Sequence, residues 1–277
     1  ARMIGCPVIY YDPGDAVHAN LQQRILTPIE RPVVNRASRI ITYNHAGKKR
    51  FMDKYGYPEE RIEVIPKPVD VPVWRPDVDT SAYRLELGQA SNSLLVGYVG
   101  RLAQYKGSEV LLDVARMAAV DPEFAGVKFA FLGGSLATGE EEDDYRLSNT
   151  HVTGMLPHVA VPNYVAACDV IVFPDVTRPG GFPTAIAEAM ASGRTIVAGI
   201  GDHTDYMPLE HGINSLRVSP SDPRGILDAL RHLLRNPEEA SRLGQAVGDY
   251  ALKRMNYPVI ARSYLDIARQ VIDARDR

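Results

Sequence analysis

The 277-residue sequence has little of several things, and each scarcity excludes a class of protein. It has two cysteines, Cys6 and Cys168, far apart and without C-x-x-C spacing. That excludes a disulfide scaffold and a thiolate metal centre, and fits two buried thiols in a reducing compartment. It has no apolar run near the ~18 residues that span a bilayer, and its longest apolar runs are strand-sized. It has no excess of positive charge: 31 Lys and Arg against 34 Asp and Glu give a formal net charge of −3. A polybasic nucleic-acid footprint is therefore absent. There is no G-x-x-x-x-G-K-[ST] phosphate loop, no fixed-period repeat and no low-complexity tract. The single tryptophan, Trp74, falls in a proline-rich stretch and is expected to pack on a domain surface. The acidic run 140–144 reads as a solvated loop. The histidines at 151, 158, 203 and 211 have no metal-ligand spacing and read as loop or strand-edge residues.

What is present is ordinary globular material, 45% hydrophobic and 23% charged, with enough length for about two domains. Short β-branched runs at 94–99, 127–132, 151–154, 169–173, 195–198 and 215–218 alternate with stretches of helical apolar spacing. Alternation of that kind predicts an α/β fold with a parallel sheet covered by helices on both faces. The first 65 residues read as the end of another, incomplete α/β unit, with strands at 7–11, 39–43 and 62–65 and helices at 25–36 and 45–55. Pro66, Pro68, Pro72 and Pro76 then argue against a helix or a central strand, so an interdomain linker is expected over 66–91. Helices are expected at 223–234, 237–254 and 259–275, the last crossing back onto the N-terminal piece. The division is 1–75 for the N-terminal remnant and linker start, 76–256 for the main domain and 257–277 for the returning helix. The chain opens on Ala1 rather than Met, which is read as the interior of a longer parent or a processed end. Either an upstream segment or a second copy of the chain is expected to cover the incomplete unit.

Two places carry chemistry. The first is Gly100-Arg101-Leu102-Ala103-Gln104-Tyr105-Lys106-Gly107, between a strand and a helix. Such a turn lies at the carboxyl edge of a parallel sheet, where open α/β folds bind ligands. Gly100 lets a ligand approach the backbone, and Arg101 and Lys106 supply two cations suited to a diphosphate. The plainer alternative is two surface cations beside a capping glycine. The second place is Arg178-Pro179-Gly180-Gly181-Phe182-Pro183-Thr184, which enters a helix after a strand. Amides unpaired at a helix start, with the dipole behind them, attract phosphate. Glu188, one turn on, sits among Ala187, Ala189, Met190 and Ala191 and needs a partner. Ribose hydroxyls or a nearby arginine would serve.

At these two places the sequence resembles family 4 retaining glycosyltransferases of the GT-B fold, over about residues 39–252. The matching elements occur in order: "RIITYNHAGKKRFMDKYGYPEERIEVIPKPVD", "VGYVGRLAQYKGSEVLLDVARMA", "VKFAFLGGS", "HVTGMLPHVAVPNYVAACDVIVFP" and "GGFPTAIAEAMASGRTIVAG". The resemblance implies a two-unit Rossmann-like fold and a nucleotide-diphospho-sugar donor, without nucleic acid or a metal cofactor. It implies that Arg101 and Lys106 hold the diphosphate leaving group. It implies that the Gly154–Met155–Leu156 backbone meets the base, that Glu188 binds the ribose, and that the amides of Gly181 to Thr184 face phosphates and sugar. The family motif has two glutamates; here the first position is Gly180. The histidine that the family places near the start of this region has only Asp12 as its nearest counterpart, and Asp12 also reads as a turn residue before Pro13 and Gly14. Asp205 is left outside the site because its spacing to Gly212 differs. The expected activity is sugar transfer to an unknown acceptor, in the cytoplasm or peripheral at a membrane. The alternatives are an impaired nucleotide-sugar-binding scaffold that partners an active transferase and, further off, an epimerase of the same architecture.

Overall fold

A computed structural model describes residues 7–12, 28–75, 78–90, 93–103, 106–135, 143–176, 183–201 and 208–274. Cys6, Gln104, Tyr105, the acidic residues 140–142, the stretch 177–182 with Gly180, Gly181 and Phe182, and His203 and Asp205 lie outside them.

The fold is α/β with parallel sheets throughout the described residues. The first unit has strands β1 (Ile9–Tyr11), β2 (Arg39–Thr42) and β3 (Ile62–Val64), paired in that order. Helix α1 (residues 28–34) precedes β2, and α2 (His45–Tyr55) follows it. Helix α2 starts where Asn44 accepts the Gly47 amide at 2.7 Å and stops at Gly56, whose φ of 65° is the left-handed ending glycine tolerates.

The second unit is a six-stranded sheet in the order β6-β5-β4-β7-β8-β9. Its strands are β4 (Leu95–Val99), β5 (Lys128–Leu132), β6 (Thr150–Val152), β7 (Val170–Phe173), β8 (Thr195–Gly199) and β9 (Leu216–Val218). The central strands are apolar on both faces, as a sheet sandwiched by helices requires. Leu95, Ala130, Leu132, Ile171 and Phe173 pack into one core. Val96, Tyr98, Phe129, Phe131, Val170 and Val172 pack into the other. The first core is closed by α3 (Val71–Trp74), α6 (Val161–Ala167), α7 (Thr184–Ser192) and α9 (Pro237–Arg254). The second is closed by α5 (Ser108–Ala119) and α8 (Pro223–Arg235). Gly97 is required inside β4, because a Cβ there would lie 2.6 Å from Cys168 Sγ.

One expectation needs correcting. The prolines of the 66–91 stretch do not keep it free of helix. Helix α3 forms there with Pro72 in its first turn, where a missing amide leaves no bond unmade, and α4 (Ser81–Glu86) follows. Val69, Val71, Trp74 and Leu87 are buried in the core of the second unit, so the stretch belongs to that unit's packing. Trp74 is 3% exposed, a packing residue as expected. The chain passes between the units twice, side by side: the Val69 amide donates to the Met255 carbonyl at 2.9 Å. Helix α10 (Tyr257–Asp273) then lies on the first sheet, with Ile260, Ile267 and Val271 against Ile41 and Ile65.

Candidate functional site

In the order β6-β5-β4-β7-β8-β9, successive strands run outward from β4 on one side and from β7 on the other. The crevice outside the carboxyl ends of β4 and β7 is therefore the topological switch point, where doubly wound folds take ligands. The Gly100–Gly107 turn sits there. A Cβ on Gly107 (φ 73°) would lie 3.1 Å from both the backbone nitrogen and the Cβ of Asp175, just past β7. The turn is held from several sides. The Tyr98 hydroxyl donates to the Arg101 carbonyl at 2.9 Å, and the Leu102 amide donates to the Gly134 carbonyl at 3.2 Å. The Ala103 amide donates to Ser108 Oγ at 3.1 Å, and that buried hydroxyl is 2.8 Å from the Tyr145 hydroxyl. Leu102 is buried, whereas Arg101 and Lys106 are exposed at the rim. The backbone of residues 101–103 is thus held, and both cations are exposed.

The neighbouring turns join this rim. Gly133 has φ 145°, and a Cβ there would lie 2.1 Å from the Gly100 carbonyl oxygen, so the turns after β4 and β5 touch backbone to backbone. The Gly133 amide donates to Thr153 Oγ1 at 3.1 Å, which ties in the turn after β6. Gly154 follows with φ 65°, then exposed Met155 and half-buried Leu156. Gly100, Arg101, Gly154, Met155 and Leu156 therefore share one edge of the sheet.

Glu188 stands on α7, two residues past Ile186, which is wholly buried. Pro183 caps the helix and Thr184 is its first residue. The Glu188 side chain is 15% exposed, and burial among alanines pushes its carboxyl above the usual carboxylate range. Two groups oppose that shift. His158 Nε2 lies 3.5 Å from Glu188 Oε1, and the Lys67 ammonium acts through its field. Neither was picked out from sequence as a site residue, and neither is the arginine named there as an alternative partner. Burial lowers Lys67 below the usual lysine range while Glu188 holds it up. Its Nζ sits 5.6 Å from the Tyr43 ring centroid, and the His158 ring meets Trp74 edge-on at 6.0 Å. The only sequence mark of Lys67 is a lysine between two prolines.

Asp12 is not a plain turn residue. Its carboxylate, 10% exposed, accepts from Arg50 Nη2 at 2.6 Å within the first unit. Among the remaining histidines, His211 Nδ1 accepts the Arg217 amide at 3.0 Å, and His151 lies on edge strand β6. No group of three His, Cys, Asp or Glu side chains among the described residues is arranged to hold a metal ion.

A doubly wound parallel sheet with a charged turn at its switch point, joined to a second parallel unit, defines a two-unit Rossmann-like architecture. Comparison with known proteins is specific within that class. The family model described as "Glycosyl transferases group 1" matches residues 93–236, and the one described as "Glycosyltransferase Family 4" matches residues 2–72. The chain belongs to the group 1 glycosyl transferases. It is 27% identical over 259 residues to the D-inositol 3-phosphate glycosyltransferase of Nocardioides sp., covering 87% of this chain and 55% of that protein. It is 29% identical over 215 residues to the enzyme of that name from Mycobacterium tuberculosis, covering 74% of this chain and 43% of that protein. The chain thus spans about half the length of these relatives. Among solved structures, HepE of Anabaena in complex with UDP superposes with a TM-score of 0.79 at 22% identity, over 97% of this chain and 74% of that one. TarM superposes with a TM-score of 0.66 at 16% identity, over 94% of this chain and 48% of that one. These two likenesses concern the fold.

Proposed function

We propose that this chain binds a nucleotide-diphospho-sugar, with uridine as its base, and that it is the donor side of a retaining, metal-independent glycosyltransferase. The observation that carries the reading is the pinned Gly100–Gly107 turn at the β4–β7 switch point, with Arg101 and Lys106 on its rim. Uridine is taken from the UDP in the HepE and TarM complexes.

As the sugar–oxygen bond breaks, negative charge builds on the diphosphate. Arg101 and Lys106, carried on that turn, offset that charge as it develops, in the role a metal ion fills elsewhere. The amide of Thr184 at the start of α7 adds to the same field. The backbone of Gly154, Met155 and Leu156 lies along the base. Glu188 accepts hydrogen bonds from the ribose hydroxyls; His158 and Lys67 oppose the rise that burial causes in its carboxyl. The acceptor attacks on the face the leaving group vacates.

Donor turnover tests this. With UDP-glucose as the probe, the expected result is release of UDP, retention at the anomeric carbon by NMR, and a 10²–10³-fold lower kcat in Arg101→Ala. A second reading rests on Gly180, which stands where the family motif has its first glutamate: the chain binds donor without turnover and supports a partner transferase. Tight UDP binding with no release of UDP from UDP-glucose would favour it and overturn catalysis by this chain.

A further inference from the structure

At the opposite end of the same sheet, where β4, β7 and β8 begin, a cavity of about 410 Å³ is lined by Leu94, Asp169, Arg194, Leu233, Leu234 and Ser241. Arg194 occupies the turn between α7 and β8. Its Nε is buried and has no hydrogen-bond partner, and among the described residues its guanidinium makes no ion pair. A buried donor left without an acceptor is costly, and Arg194 is short of acceptors for a structural reason. The carboxylate that acts on it, Asp169, is already committed: Arg84 Nη1 donates to both its oxygens at 3.1 and 3.0 Å, and the Leu95 amide donates to it at 2.8 Å. Arg75, the second guanidinium acting on Arg194 beside Arg84, is turned to the Ala191 carbonyl at 2.9 Å. Three arginines against one carboxylate leave the region positive, and burial presses on the Arg194 charge.

We propose that this cavity is a second binding site, separate from the donor rim, for a small organic anion bound by Arg194. The occupant has a carboxylate or phosphate head, which a guanidinium holds through two parallel hydrogen bonds. Leu94, Leu233 and Leu234 give the cavity an apolar wall, so a short apolar body behind the head adds affinity. The volume fits a small metabolite and is within the range of small-molecule pockets.

The test is thermal shift and calorimetry on the whole chain at constant ionic strength, with UDP saturating the donor rim and inorganic phosphate and butyl phosphate as probes. Both are expected to raise Tm saturably, butyl phosphate at several-fold lower concentration. Arg194→Gln is expected to weaken both at least tenfold, while Arg101→Ala leaves the butyl phosphate response unchanged. Ser241→Glu brings a carboxylate to the exposed side of the cavity; it is expected to abolish the response and to raise Tm without ligand. No saturable response in the wild type overturns the proposal. So does a response that persists in Arg194→Gln, or one that is lost only in Arg101→Ala, which would assign the anion to the donor rim. If Arg194→Gln does not fold, a response that persists in Ser241→Glu overturns it equally.

Discussion

Replacing Gly133 by alanine tests whether the donor rim is one rigid piece. The added Cβ would start 2.1 Å from the Gly100 oxygen and 2.9 Å from its carbonyl carbon. Both are backbone atoms, so no side chain can swing clear. Restoring ordinary contact requires the Gly100 peptide to retreat by about 1 Å. That peptide is held on both sides by hydrogen bonds of its neighbours, Gly100 amide to Leu132 carbonyl at 3.1 Å and Leu102 amide to Gly134 carbonyl at 3.2 Å. Loss of both costs about 2 kcal/mol net, and alanine at φ 145° adds about 1–3 kcal/mol of backbone strain. The total of about 3–5 kcal/mol corresponds to a fall in Tm of roughly 10 °C for a chain of this size. Gly154→Ala is the control. Its φ of 65° carries strain but its Cβ meets nothing within 4 Å, so it is expected to cost only about 1–2 kcal/mol. Because Arg101 follows Gly100 directly, the same retreat is expected to weaken UDP binding about tenfold in Gly133→Ala. Thermal melts and UDP titrations of the two variants give the answer. Equal Tm values for Gly133→Ala and Gly154→Ala would refute the reasoning.

Three further outcomes follow from the charges and the core. Burial raises the Glu188 carboxyl, so its contribution to stability is complete below the unfolded value near 4.5 and is lost as pH rises through the higher folded value. Glu188→Gln should therefore melt above the wild type at pH 7, with the gap closing by pH 4, and should bind UDP more weakly; a gap independent of pH would contradict this. Burial pushes the Cys168 thiol up to about 12, so native protein at pH 8 should label with a thiol reagent identically with and without Cys168→Ser; a difference between the two would show an accessible thiolate. Arg50→Ala removes the 2.6 Å partner of a carboxylate that is 10% exposed. Denaturant titration should show a loss of about 1–3 kcal/mol, and an unchanged midpoint would mean the pair contributes nothing.

Much of the fold is legible in the sequence because β4, β7 and β8 are buried on both faces and appear as unbroken apolar runs. The glycine-led turn after β4 is legible too, since its cations follow the strand directly. Residues 66–91 misled because proline was read as excluding helix, whereas Pro72 sits in the first turn of α3, where it is tolerated. Lys67 and His158 were not read as site residues because each meets Glu188 only through the fold, from a position between two prolines and from a loop after β6. No local pattern encodes either contact. The Asp12–Arg50 pair was missed for the same reason, its members lying 38 residues apart.

The central claim is that two cations on one fixed turn hold a diphosphate at the β4–β7 switch point. Calorimetric titration of UDP into the wild type and into Arg101→Ala and Lys106→Ala measures it directly. Each substitution is predicted to weaken binding by about 10- to 100-fold with Tm nearly unchanged, since both side chains are exposed at the rim. Equal affinities in all three proteins would contradict the account.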